Sequence, residues 1–156
     1  MKAKLLHKQS GQKTFALVFD TGDEVVAGLL AFAKEKRLSA SHFTAIGAFS
    51  DVTLGYFDWE KKDYQKLPVR EQVEVLSLIG DVALNKSQPK VHAHVIVGKS
   101  DGTAHGGHLM QAHVRPTLEV IIVESPAHLQ RKTDKETGLA LISLKAANEV
   151  NDDQDG

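Results

Sequence analysis

Three histidines carry the most chemistry in this sequence. Val91-His92-Ala93-His94-Val95 sets two imidazoles two residues apart, and Gly106-Gly107-His108 adds a third shortly after. On a strand, residues two apart face the same side. Their Cα atoms are then about 6.5 Å apart, at ~3.3 Å of rise per residue. From that separation two rings can lean together onto one ion. Three imidazoles suit zinc, iron, nickel or copper, whereas magnesium and calcium prefer all-oxygen shells. Zinc takes four ligands, so three histidines leave one position for water, a carboxylate or a partner subunit. The sequence has no cysteine, so any metal must be held by nitrogen and oxygen. The same absence excludes disulfides, thiolate sites and a cysteine nucleophile.

The third ligand has to come from a neighbouring strand, and the register can be worked out in advance. If Lys99 lies opposite Thr103, paired positions sum to ~202, which sets His94 across from His108 with His92 diagonal to both. A two-residue loop at Asp101-Gly102 would turn His108 to the wrong face. An odd-length loop is therefore required, which Gly102 permits in a left-handed conformation, or else a bulge at Gly106-Gly107. Those two glycines would also let bulky rings sit close to backbone. His105 has the opposite parity, His113 lies beyond the expected strand pair, and His7, His42 and His128 read as surface or structural residues.

Around these residues the pattern is mostly β. Thr14–Asp20 alternates as a strand. A helix follows from about Asp23 to Arg37, with Thr21 as cap and Glu24 completing a capping box. Val26, Leu29, Leu30 and Ala33 give it an apolar face, and Lys34, Lys36 and Arg37 suit its C-terminal dipole. Strands are then expected at His42–Phe49 and Val52–Trp59, joined at Ser50-Asp51, and at Lys62–Leu67 as an edge. A longer one runs over Gln72–Leu84 with a bulge at Gly80-Asp81. Lys90–Val97, Thr103–Met110, the almost wholly apolar and hence central Thr117–Val123, and Leu139–Leu144 complete the set. One helix against many strands means an α+β fold, mostly antiparallel, with the helix on one sheet face. The expected domain is 1–145, followed by a disordered acidic tail at 146–156.

The composition limits the partners. With 19 basic and 20 acidic side chains the formal charge is −1. No basic stripe of the kind that supplies phosphate affinity is visible. The longest near-apolar run, Val25–Ala33, is far short of the ~20 residues that cross a bilayer, and Met1–Lys8 has no signal-peptide core. The expectation is a cytoplasmic protein without a membrane partner.

The string Val91–Met110, with its His-x-His, Asp-Gly and Gly-Gly-His-Leu elements, resembles the signature of the PPC (plants and prokaryotes conserved) domain family. The blocks Phe43–Phe49, Leu54–Asp58, Glu74–Gly80 and Thr117–Val120 are similar to the family's others in order and spacing. The resemblance implies an α+β fold assembling as a homotrimer, with one zinc or other divalent transition metal per subunit on His92, His94 and His108. In plants the domain follows Arg-Gly-Arg-Pro hooks that enter DNA, and it mediates self-association and contacts with protein partners. This sequence contains no Arg-Gly-Arg-Pro. Glu71–Leu76 keeps the glutamate of the plant core but not its Gly-Arg-Phe. The missing hook and the charge balance argue against direct DNA binding, and the lost Gly-Arg-Phe against the plant-type partner contact. The function the resemblance implies is a metal-binding homotrimeric module of DNA-binding/regulatory or protein-interaction type. The alternative is a small metalloenzyme using the open coordination position. Glu74 or Glu119 would then be a base or would orient an imidazole, but no catalytic residue can be assigned.

Overall fold

The computed structural model describes residues 1–144, so the expected acidic tail lies outside the described residues. The elements run β1 (Lys2–Gln9), β2 (Gln12–Asp20), α1 (Val25–Lys36), β3 (Ala40–Asp58), β4 (Asp63–Val69), β5 (Val73–Asn85), β6 (Gln88–Gly98), β7 (Ala104–Glu124), β8 (Gln130–Thr133) and β9 (Ala140–Ser143). Period-two burial builds the core. In β6, Ala93, Val95 and Val97 are buried, while His92, His94 and Ile96 lie on the other face. Helix α1 buries Val25, Leu29, Phe32 and Ala33, and Phe32 meets Phe15 edge-to-face at 5.2 Å. Each large side chain removed from water in this way contributes roughly 1.5–3 kcal/mol. No helix among the described residues is long and apolar enough to cross a membrane.

The long strands change neighbours along their length. β3 pairs with β5 through Ala40–Phe49 and with β4 through Val52–Asp58. β7 follows β3 for most of its course, but its first residues, Ala104–His108, pair with β6. β3–β5, β5–β6, β6–β7 and β7–β3 therefore close a ring of ladders. The second half of β7 lies between β2 and β3, as its apolar run predicts. All pairings are antiparallel except the short parallel contact of β8 with β5.

Several expectations are corrected. Thr21 does not cap α1; its hydroxyl donates to the Pro116 carbonyl, and Glu24 is the cap. The two strands expected on either side of Ser50-Asp51 are one, because a register shift between Phe49 and Asp51 absorbs the polar pair as a bulge. Gly80-Asp81 lies in regular ladder, and the irregularity on β5 falls between Val75 and Ser77. A Cβ on Gly80 would come within 2.4 Å of the Phe43 ring, so close packing explains that glycine. Thr103–Met110 and Thr117–Val123 also belong to one strand, continuous through Pro116. Sequence pattern did not reveal β1, whose residues are all exposed. Nor did it reveal β8, four residues within a polar stretch.

Candidate metal centre

The β6–β7 turn decides the site. Lys99 N–H donates to Thr103 O at 2.9 Å, leaving a three-residue loop in which Gly102 has φ +81°. Asp101 stiffens it by accepting from Thr103 N at 2.9 Å. The odd loop sets His94 directly across from His108, and the ladder then runs without a shift to Gly98–Ala104. The Gly106-Gly107 bulge is therefore not used. A Cβ on Gly107 would approach the Gly55 carbonyl at 2.8 Å, so that glycine admits β3 instead.

Past His108, β7 leaves β6 to follow β3, and the cluster sits at this divergence. The candidate ligand atoms of His92, His94 and His108 all lie within 4.8 Å of one another. Their ring centroids are 5.2, 5.2 and 5.5 Å apart. Tyr64 of β4 lies against His108 at 4.8 Å between centroids. Gly55, paired with His108, makes room for that phenol, since a Cβ there would meet Tyr64 at 2.9 Å.

The electrostatics favour neutral rings. Burial, reinforced by the neighbouring imidazoles, pushes the His108 pKa down to about 4. Burial and then Arg131 lower that of His92. Both are therefore unprotonated near neutral pH, the state that ligates metal. His108 Nδ1 is buried without a hydrogen-bond partner. Such an atom is costly in a protein interior, and an ion held among the three rings would satisfy the cluster. The donor set and this orphaned nitrogen fit a divalent transition metal.

Behind the rings stands a charge pair that sequence reasoning missed. Asp81 of β5 lies 3.8 Å from His92 Nδ1, within ion-pair range though too far for a hydrogen bond. Its other oxygen accepts from the Arg131 guanidinium of β8. Arg131 also donates to Ala140 O at 2.9 Å, and its side chain is 3% exposed. The signal for Asp81 was the tight turn Lys86-Ser87, both residues with positive φ, which sets Asp81 opposite His92. Glu74 and Glu119 are exposed and line other depressions, with Gly98 and Lys99 in one case and Ile46 and Ile79 in the other. Neither lines the histidine cleft. That cleft, of about 320 Å³, is lined by Tyr64, Lys90, Val91, the three histidines, Arg131 and residues Leu139–Leu141 of the β8–β9 hairpin.

The other histidines stand apart from this cluster. His105 lines a separate depression beside Leu67 and Pro68. His113 contacts Asp51 at 2.9 Å. His128 contacts Ser39 at 2.7 Å, next to a buried Glu124 that accepts from Ser39 and Ser41.

Fold and site together define a β-rich domain with a three-histidine cluster at a strand divergence. The sequence profile of the Plants and Prokaryotes Conserved (PCC) domain matches residues 6–126, and the chain belongs to that family. The metal-containing protein of Archaeoglobus fulgidus is 41% identical, with a TM-score of 0.78 over 84% of this chain and 93% of that one. The plant- and prokaryote-conserved protein of Pyrococcus horikoshii is 29% identical, TM-score 0.79, over 93% and 97%. A Bacteroides thetaiotaomicron protein bearing a provisional DNA-binding name is 28% identical, TM-score 0.81, over 90% and 96%. Among curated proteins, the bifunctional protein GlmU of a Synechococcus strain is 28% identical over 132 residues. The chain spans about a fifth of that protein's length, 20%, with 83% of this chain covered.

Proposed function

We propose that this protein is a metal-binding module of its family, holding one divalent transition ion, zinc by preference, on His92, His94 and His108. The supporting observation is the convergence of three imidazoles, with candidate ligand atoms within 4.8 Å of one another, at the β6–β7 divergence. The 41% identity to a protein described as metal-containing supports it too. The module acts as a homotrimeric regulatory or interaction unit in the cytoplasm. Elemental analysis tests the centre: wild type should retain about one ion per chain, and His92→Ala/His94→Ala none. Stoichiometric metal in the double variant would place the ion elsewhere.

A second reading, a small metalloenzyme, is favoured by one observation. The cleft opens on the histidines, and among the described residues no fourth histidine, cysteine or carboxylate joins the group. An ion with an open position lowers the pKa of bound water to about 7. Among the described residues no free carboxylate base lines the cleft, because Asp81 is engaged by Arg131 and neither Glu74 nor Glu119 lines it. The binding module is therefore the reading preferred.

A further inference from the structure

We infer that the cleft beside the histidines takes a small organic carboxylate, with its carboxyl group at the open metal position and near Lys90 and its apolar body against Leu139 and Leu141. The inference rests on the metal reading above. Its first support is charge. Three neutral imidazoles leave the ion's two positive charges uncompensated, and among the described residues no acidic side chain lines the cleft. The nearest carboxylate, Asp81, is already matched by Arg131. Lys90 lines the same cleft with no ion pair among the described residues. A site of that sign in partly desolvated surroundings attracts an anion.

Shape and donor inventory select the kind of anion. A phosphate or sulfate offers several oxygens that call for a fork of donors. Here the Arg131 fork is turned away, toward Asp81 and the Ala140 carbonyl. One ammonium and the metal position remain, which suits a monoanion. The rest of the wall is apolar or aromatic: the Tyr64 ring, Val91, Leu139, Ala140 and Leu141. At about 320 Å³ the cleft is at the small end for ligand sites. A short-chain carboxylate satisfies each of these features.

The test uses cobalt(II)-loaded protein, with metal content fixed by elemental analysis, titrated with acetate, butyrate, hexanoate and inorganic phosphate. The visible d–d spectrum reports entry of the anion into the shell. Carboxylates should shift the spectrum, with affinity rising about three- to fourfold per added methylene as the chain meets the apolar wall. Phosphate should bind more weakly than hexanoate. Lys90→Gln should weaken carboxylate binding about tenfold with cobalt stoichiometry unchanged, and Leu139→Ala should flatten the chain-length dependence. Full cobalt loading with a spectrum unmoved by hexanoate would overturn the inference alone. So would a shift indifferent to chain length and to Lys90, or tighter binding of phosphate. Failure to load cobalt would instead remove the metal reading and this inference with it.

Discussion

Asp81 meets two charges at once, facing His92 Nδ1 at 3.8 Å and holding the buried Arg131 guanidinium. A carboxylate on that side of His92 favours a proton at Nδ1 and leaves the other nitrogen for the ion. Asp81→Asn keeps the shape and removes the charge, so metal affinity should fall by about 10- to 100-fold in a chelator competition. Asp81→Ala goes further and strands a guanidinium with 3% exposure. Chemical denaturation of the metal-free variant should show a loss of about 3–5 kcal/mol. Unchanged affinity in both variants would reduce Asp81 to a partner of Arg131 alone.

Among the elements, α1 and the β6–β7 pair explain how the site is held. Glu24 accepts from Val26 N at 3.1 Å and Ala27 N at 2.6 Å at the first turn of α1, and from Ala112 N of β7 at 3.3 Å. One side chain thus caps the helix and fastens it to the strand that carries His108. Glu24→Ala should cost about 1–2 kcal/mol by denaturant melt, whereas Thr21→Ala, where the sequence suggests the cap, should cost less. At the other end of β7 the three-residue Ser100–Gly102 loop determines parity, and parity determines whether three rings or two share a face. Two glycines at Gly106-Gly107 suggested a bulge, but their backbone stays in register; the room at Gly107 is taken by β3 and that at Gly106 by Val95 and Ile96 of β6.

Over the whole molecule, one sheet face lacks a cover among the described residues. Ile46, Leu76, Ile79 and Ile121 line a single depression and are 61, 55, 56 and 43% exposed. A patch of such residues marks an interaction surface, in keeping with the homotrimer proposed. Sedimentation at micromolar concentration should report a trimer, and Ile46→Lys should shift it to monomer with metal content intact. A monomeric wild type would remove the trimer from the reading. Charge argues separately: the formal balance is −1, and counterion release requires basic side chains against phosphate. The protein alone should show no steeply salt-dependent DNA affinity near physiological ionic strength. A salt-titrated binding assay giving submicromolar affinity would reverse that expectation.

Local periodicity was enough to set His92 and His94 on one face, because strand side chains alternate strictly; His108 across from His94 needed an odd loop or a bulge, and the structure shows the odd loop. Periodicity also established one helix against many strands. The elements it divided or missed share a cause: bulges at Ser50-Asp51 and the passage through Pro116 interrupt a local pattern without ending a ladder. Only the tertiary structure decided what surrounds the rings. Arg131 reaches Asp81 through a short strand in a polar segment, and Tyr64 reaches His108 across a glycine on a third strand. Those contacts join residues distant in sequence, where no period or spacing exists to announce them, and they turn a set of ligands into a cleft.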